Sequence, residues 1–241
     1  MSGAETVSTG ILGGTFNPIH VGHLRAAEEV REQLGLARML FLPCADPPLK
    51  RRGSQVIAPA KERMAWVEAA IASNPAFVAD GTELEREGPS YSVDTLALLR
   101  RRLAPELPVF VLGVDAFADL GAWREPERLL TLCHFAVMHR PPGRSRVLAE
   151  QLPQALARDF DWAEDGQAGR HRKARTWLRF VPVRSLEVSA TDIRRRIGKG
   201  LSVRYLVPEE AREAVLASGH YAANEASPAE SRPHEEEQSC P

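Results

Sequence analysis

Cysteine is scarce in this chain: Cys44, Cys133 and Cys240 stand alone, with no CxxC pair. That excludes a disulfide scaffold and suits a reducing compartment. No stretch approaches the ~20 apolar residues that a membrane span needs. The opening MSGAETVST has neither a basic start nor an apolar core, so no signal peptide is expected and a cytoplasmic protein is. A basic excess is missing too. Lys plus Arg number 31 and Asp plus Glu 32, which argues against a chain that binds mainly the nucleic-acid backbone. There is no internal repeat and no cluster of carboxylates that would build a metal cage. What is present is globular in proportion, 44% hydrophobic and 26% charged.

The near-zero net charge hides a division. Glu225, Glu230, Glu235, Glu236 and Glu237 face only Arg232 in the last twenty residues, so the remainder of the chain is mildly cationic. Residues 222–241 hold Ser, Pro and Glu without a large apolar side chain, which predicts a disordered acidic tail. Residues 1–8 are expected to be a flexible N-terminus, leaving one domain over 9–221.

Within that domain, short apolar runs alternate with helical patterns. The runs are 10–12, 39–42, 76–79, 109–112, 135–138 and 178–183. Between them Leu24, Ala27, Val30 and Leu34 recur at helical spacing, as do Met64, Val67 and Ile71, then Val93, Leu96 and Leu99. Strands alternating with helices imply βαβ units and a parallel sheet, and strands buried on both faces should be uniformly apolar. Residues 141–176 break the pattern and read as an exposed, partly helical segment. Its basic run from Arg170 to Arg175 has no interleaved aromatic and reads as a solvated face.

Gly13-Gly14-Thr15-Phe16-Asn17-Pro18-Ile19-His20-Val21-Gly22-His23 follows the first predicted strand and runs into the first predicted helix. Paired glycines let backbone N–H groups approach a phosphate with no Cβ in the way. The helix N-terminus adds partial positive charge. His20 and His23 share a face if both lie in the first turn, and Gly22 between them leaves room for a ligand. The whole reads as a polyphosphate site with two imidazoles aimed at it. A second segment, Val188-Ser189-Ala190-Thr191-Asp192-Ile193-Arg194, opens with a capping-box pattern from Ser189 to Asp192. On the helix that follows, Thr191 and Arg194 share a face. Hydroxyl, N–H groups and guanidinium can then converge on phosphate oxygens, although a plain cap with a solvated Arg would read the same way. Arg195 and Arg196 read as surface charge. In Phe110-Val111-Leu112-Gly113-Val114-Asp115, a strand ending in Gly-x-Asp puts Gly113 and the Asp115 carboxylate at the carboxyl edge of the sheet, where open α/β folds bind ligands.

These segments resemble the HxGH nucleotidyltransferases, whose motif reads GGTFDPxHxGH, and more closely the bacterial nicotinate-nucleotide adenylyltransferases. The resemblance spans about residues 9–221. It implies a Rossmann-like, doubly wound parallel sheet of the nucleotidyltransferase type. It also implies adenylyl transfer from ATP to nicotinate mononucleotide, with Mg²⁺ carried by the ATP. His20, His23 and Arg194 are the expected catalytic residues. Gly13, Gly14, Thr15, Phe16, Gly113, Asp115, Ser189 and Thr191 are expected to join them around ATP. Pro89-Ser90-Tyr91-Ser92-Val93-Asp94-Thr95-Leu96 is similar to the family's PSYTxxTL segment beside the nicotinate, with Ser92 in place of Thr. Trp123 resembles the tryptophan that stacks on the pyridine ring, followed here by Arg124 where Tyr is common. Asn17 stands where the family often has Asp. The family's PNxxPPHK segment reads Pro43-Cys44-Ala45-Asp46-Pro47-Pro48-Leu49-Lys50, so Lys50 remains while Asn and His are replaced by Cys44 and Leu49. Cys44 is a candidate pocket thiol or a small buried residue. Lys50, Tyr91, Ser92, Trp123 and Arg140 are the expected mononucleotide contacts. Arg63 also matches a family position but reads as a surface ion pair. The rival readings are transfer to nicotinamide mononucleotide or phosphopantetheine, a non-catalytic nucleotide-binding module, and a nucleic-acid binder using Arg170 to Arg175. Oligomeric state is open.

Overall fold

The computed structural model describes residues 9–46, 56–86, 88–139, 147–184 and 186–222. The expectations for residues 1–8 and for the acidic tail therefore fall, almost entirely, outside the described residues. In chain order the strands are β1 (Thr9–Gly14), β2 (Arg38–Pro43), β3 (Phe77–Ala79), β4 (Val109–Gly113), β5 (His134–His139), β6 (Phe160–Trp162), β7 (Ala168–His171) and β8 (Trp177–Pro182). The helices are α1 (Val21–Leu34), α2 (Ala60–Ile71), α3 (Ser92–Arg102), α4 (Val114–Ala118), α5 (Pro126–Leu132), α6 (Leu148–Gln151), α7 (Gln154–Ala157), α8 (Ala190–Gly198) and α9 (Glu209–Ala217).

The strands form one sheet in the order β3-β2-β1-β4-β5-β8-β7-β6. The first six in that order are parallel, and they correspond to the six apolar runs of the sequence. Successive residues feed opposite faces, so each face has its own core. Leu12, Met39 and Phe41 pack with α1, α2, α8 and α9 on one side. Ile11, Leu40 and Leu42 pack with α3, α4, α5, α6 and α7 on the other. Helices on both faces make the sheet doubly wound, as the βαβ alternation implies. α1 stops where Gly35 takes a left-handed φ of 63°, and Leu36 N–H closes on Arg31 O at 2.9 Å.

The described part of 141–176, residues 147–176, is not the exposed segment expected of it. β6 and β7 extend the sheet by antiparallel pairing onto β8, so the sheet is mixed rather than wholly parallel. Leu148, Leu152, Leu156 and Phe160 are buried in the second core. The basic run is divided as well: Arg170 is half-buried in β7, and His171 is buried. The His171 ring accepts the N–H groups of Lys173 and Ala174, each at 3.2 Å, and so closes the turn into β8. No helix among the described residues is long and apolar enough to cross a membrane.

β1 is the strand from which the order runs both ways, to β2 and to β4. A crevice opens at the carboxyl ends of such a pair. Gly13 and Gly14 end β1 there, and Gly113 ends β4.

Candidate active site

The β1–α1 loop leaves the sheet through Gly13, Gly14 and Thr15. Gly13 is exposed and the other two are half-buried. A Cβ on Gly13 would stand 3.3 Å from the Phe110 ring, so glycine leaves room for that β4 side chain against the end of β1. Phe16 has a left-handed φ of 47° and a buried side chain. It sits edge-on to the His23 ring, with centroids 5.1 Å apart. Phe16 thus buttresses His23 from the core and offers the crevice only its backbone, a narrower part than nucleotide contact implied. Backbone strain of this kind persists only where surrounding contacts over-determine it.

Those contacts are dense. Asn17 is buried and uses both ends of its amide: Nδ2 donates to Val56 O at 2.9 Å, and Oδ1 accepts from Ala58 N–H at 3.1 Å and from the Tyr221 hydroxyl. Aspartate in its place would set a carboxylate oxygen against the Val56 carbonyl, so the departure from the family pattern is matched locally. Arg63 is 1% exposed, not a surface ion pair. Its guanidinium donates to Ala58 O at 2.8 Å, Thr15 O at 2.6 Å and Cys44 O at 2.7 Å. It is a strut between the β1–α1 loop and the end of β2. Fork geometry and permanent charge suit Arg to collecting several carbonyls at once.

His20 is the N-cap of α1 and His23 is the third residue of that helix. Their rings stack with centroids 3.6 Å apart and planes 20° from parallel. His20 N–H donates to His23 Nδ1 at 3.2 Å, which leaves the proton of a neutral His23 ring on Nε2 as a donor. His20 is 7% exposed, and burial pushes its pKa down to about 4. It is therefore a neutral ring at neutral pH rather than a cation. Gly22 serves that ring: an added Cβ would lie 3.0 Å from His20 Nδ1 and 3.7 Å from Val188 O. The space expected for a ligand holds instead the histidine and the segment leading to α8.

That segment brings the second phosphate motif to the first. Ser189 caps α8, its Oγ accepting Asp192 N–H at 3.1 Å, as the capping pattern implies. Arg194 donates to Asn17 O at 2.6 Å and to Thr191 Oγ1 at 3.0 Å. Ser189 and Thr191 are exposed beside it. Arg195 pairs with Asp192, and Arg196 donates to Ser202 O at 2.9 Å, both on the surface side. Gly113 caps α4 with open space where a Cβ would be, and Asp115 is exposed in the first turn. Two histidines, one guanidinium, exposed hydroxyls and the N-termini of α1 and α8 thus converge beside the glycine ends of β1 and β4. Oriented N–H groups and a fixed cation favour a polyanion there.

A further set lies alongside. Ser90 N–H donates to Asp46 O at 3.2 Å and Asp46 N–H to Ser90 Oγ at 3.3 Å, which joins the end of β2 to the start of α3. Tyr91 caps α3 and Ser92 opens it. Tyr91 and Trp123 are half-buried against the second core; Trp123 meets Phe110 edge-on, and the Arg124 guanidinium lies 4.7 Å over the Tyr91 ring. Cys44 is half-buried, and burial pushes its thiol up to about 12, so it stays protonated. Lys50 and Arg140 lie outside the described residues. No group of three or more His, Cys, Asp or Glu among the described residues could hold a metal ion.

Arg63 matches a family position but not the surface role expected of it, and no motif points to Tyr221. Arginine is read as surface by default, and Tyr221 lies 204 positions from its partner. Only the departure at Asn17 hinted at a special pairing.

Residues 11–196 match the cytidylyltransferase-like family. The chain is 42% identical over 212 residues to a probable nicotinate-nucleotide adenylyltransferase of Trichlorobacter lovleyi, covering 88% of this chain and 98% of the relative. It is 39% identical over 218 residues to the corresponding protein of Syntrophotalea carbinolica, covering 90% and 99%. Its fold is similar to that of the Plasmodium falciparum nicotinic acid mononucleotide adenylyltransferase solved with NaAD. The TM-score is 0.65 at 14% identity, over 90% of this chain and 98% of that one.

Proposed function

The chain belongs to the nicotinate-nucleotide adenylyltransferase family, and from that premise we propose that it joins nicotinate mononucleotide to the AMP part of ATP, giving deamido-NAD and pyrophosphate. The observation that carries this reading is the convergence of the stacked His20–His23 pair with Arg194 at the end of β1. The reaction is an in-line displacement. A phosphate oxygen of the mononucleotide forms a bond to the α-phosphorus of ATP, and the bond from that phosphorus to the β-phosphate oxygen breaks with its electron pair going to pyrophosphate. The attacking phosphate is already anionic, so no general base is required. The protein's part is to position both substrates and to stabilise charge on the triphosphate.

In this reading His23 Nε2–H, Arg194 and the N-terminal amides of α1 and α8 hold the triphosphate. His20 stays neutral and gives His23 a surface to stack on. Gly13, Gly14, Thr15 and Gly113 let the nucleotide approach the backbone. Asp115, Ser189 and Thr191 complete the ATP side. Tyr91, Ser92 and Trp123 line the mononucleotide side, where Lys50 and Arg140 are the further proposed contacts. The family uses ATP and commonly a divalent metal. The donors gathered here are imidazoles, amides, hydroxyls and a guanidinium, so they fit Mg²⁺ that arrives on the triphosphate and is held by its oxygens rather than by a protein cage. When bound, Mg²⁺ would neutralise part of the charge on the departing pyrophosphate. The catalytic unit is proposed to span residues 9–221 and to work in the cytoplasm, with the two nucleotides as its partners.

Incubation with ATP, Mg²⁺ and one acceptor at a time tests this. Pyrophosphate release is expected with nicotinate mononucleotide and at least tenfold less with the amide or with phosphopantetheine. Silence with the acid form but turnover of phosphopantetheine would overturn the assignment.

A further inference from the structure

Tyr221 follows α9, 204 positions along the chain from Asn17, and yet it reaches the β1–α1 loop. Its ring is 6% exposed and packs 6.2 Å from the Trp66 ring in α2. Its backbone carbonyl lies against α8, where a Cβ on Gly198 would meet it at 3.3 Å. Its hydroxyl donates to Asn17 Oδ1. Burial pushes the phenol well above its ordinary value, despite the Arg194 and Arg63 guanidinia nearby, so the hydroxyl keeps its proton and remains a donor. One residue thus joins α2 and the β1–α1 loop through its side chain and lies against α8 through its backbone.

The Asn17 backbone carbonyl is the oxygen that Arg194 Nη1 binds at 2.6 Å. Asn17 has its side chain tied to Tyr221 and its main chain tied to Arg194. A shift of Asn17 moves that carbonyl and with it the guanidinium. A buried amide with both lone pairs of its oxygen engaged has little freedom to shift while both donors stay in place.

We propose that Tyr221 is a positioning residue for adenylyl transfer, holding Arg194 in place through Asn17. The inference rests on the reading of Arg194 as a contact to the triphosphate. Displacement of a charged donor by about 1 Å at a reacting phosphate is felt in the rate more than in binding. The segment that follows α9 is then a working part of the site rather than a mere covering for α2.

Tyr221→Phe keeps the ring and removes only the hydroxyl. It is expected to lower kcat about tenfold, with KM for ATP and for nicotinate mononucleotide within twofold of the parent and the melting temperature nearly unchanged. In an Arg194→Lys background the same change should cost less than twofold, because the hydroxyl acts through Arg194. His220→Gln removes the imidazole from the neighbouring contact with Glu62 (2.9 Å) and should leave kcat as it was. Undiminished kcat in Tyr221→Phe, a full tenfold loss on top of Arg194→Lys, or an equal loss in His220→Gln would each overturn the proposal. If Tyr221→Phe does not fold, Asn17→Ala is read the same way: lowered kcat at preserved KM supports it and parental kcat overturns it. Turnover by the unaltered protein tests the parent reading separately, so failure of one is not confused with failure of the other.

Discussion

Two buried histidines sit at opposite edges of the same sheet. His20 follows β1 at the carboxyl edge, and His134 opens β5 at the amino edge. Burial pushes both down to about 4. Each is stacked on an aromatic ring, His20 on His23 at 3.6 Å and His134 on Trp177 at 4.6 Å. Each leaves one buried ring nitrogen without a hydrogen-bond partner among the described residues, Nδ1 in His20 and Nε2 in His134. By titration and burial alone they are the same. Their neighbours separate them. His20 stands at a helix N-terminus beside a second imidazole, glycine-lined backbone and an arginine that the main chain holds. His134 accepts Trp177 N–H at 3.1 Å and helps register β8 against β5. A perturbed pKa marks a functional site only where the surrounding donors converge on open space.

Substitution at the carboxyl edge is expected to separate the two histidines most. His23→Ala is expected to lower kcat by about 10²–10³, the usual cost of losing one donor to a transition-state oxygen. The melting temperature should barely move, since the ring is only half-buried. His134→Phe should leave kcat within twofold and cost about 1–3 kcal/mol in a denaturant titration, because Trp177 N–H is left unpaired. A rate defect in His134→Phe comparable to that in His23→Ala would erase the distinction.

How much of this was legible beforehand follows from range. β1, β2, β4 and β5 were readable because burial on both faces gives each a continuous apolar run, such as Met39 to Leu42, whereas β3, with Val78 exposed, and β8, interrupted by Arg179, stood out by their Val and Phe content. β6 and β7 were not. Three or four residues such as Phe160-Asp161-Trp162 alternate too briefly to stand out against Arg and Gly. The histidine pair and the Ser189 cap were legible because each is local, within one helical turn. Arg63 and Tyr221 act across 48 and 204 positions, and no spacing rule reaches that far. Gly22 was recognised as making room, but which neighbour fills the room depends on the approach of Val188 from another element.

A second pair of residues sharpens the contrast. Arg63 and Arg179 are both arginines that burial makes less basic. Arg63 collects the carbonyls of Thr15 in the β1–α1 loop, Cys44 after β2 and Ala58, whereas Arg179 lies 4.5 Å over the Trp177 ring near His134. Arg63→Met strands several buried carbonyls at once and is expected to cost about 2–4 kcal/mol of folding stability, with a loss of activity as Thr15 shifts. Arg179→Met keeps the stacked stem and loses one cation–π contact, worth about 0.5–1 kcal/mol at a partly exposed site. Urea midpoints of the two variants, measured side by side, check this. Equal losses would mean that the carbonyl strut contributes no more than a surface contact.

The last effect concerns pH, and its sign follows from the direction of the two shifts. Both histidines have folded-state values near 4, below the ordinary value of 6.5, so the unfolded chain takes up protons first as pH falls. Their contribution to stability is complete above about pH 6.5 and drains away between there and about 4. Glu28, whose carboxyl the Arg31 guanidinium holds below its usual value, loses its contribution only below about 4.5, so most of the window belongs to the imidazoles. Each ring adds at most about 1.4 kcal/mol per pH unit to the slope of unfolding free energy. His134→Phe should therefore reduce the slope between pH 6 and 5 by about half while sparing activity. ATP bound at the carboxyl edge should flatten the remainder, because a polyanion beside His20 offsets the penalty for charging it. A slope unchanged by His134→Phe would show that the two rings do not share the acid sensitivity, and the likeness between the two edges would end there.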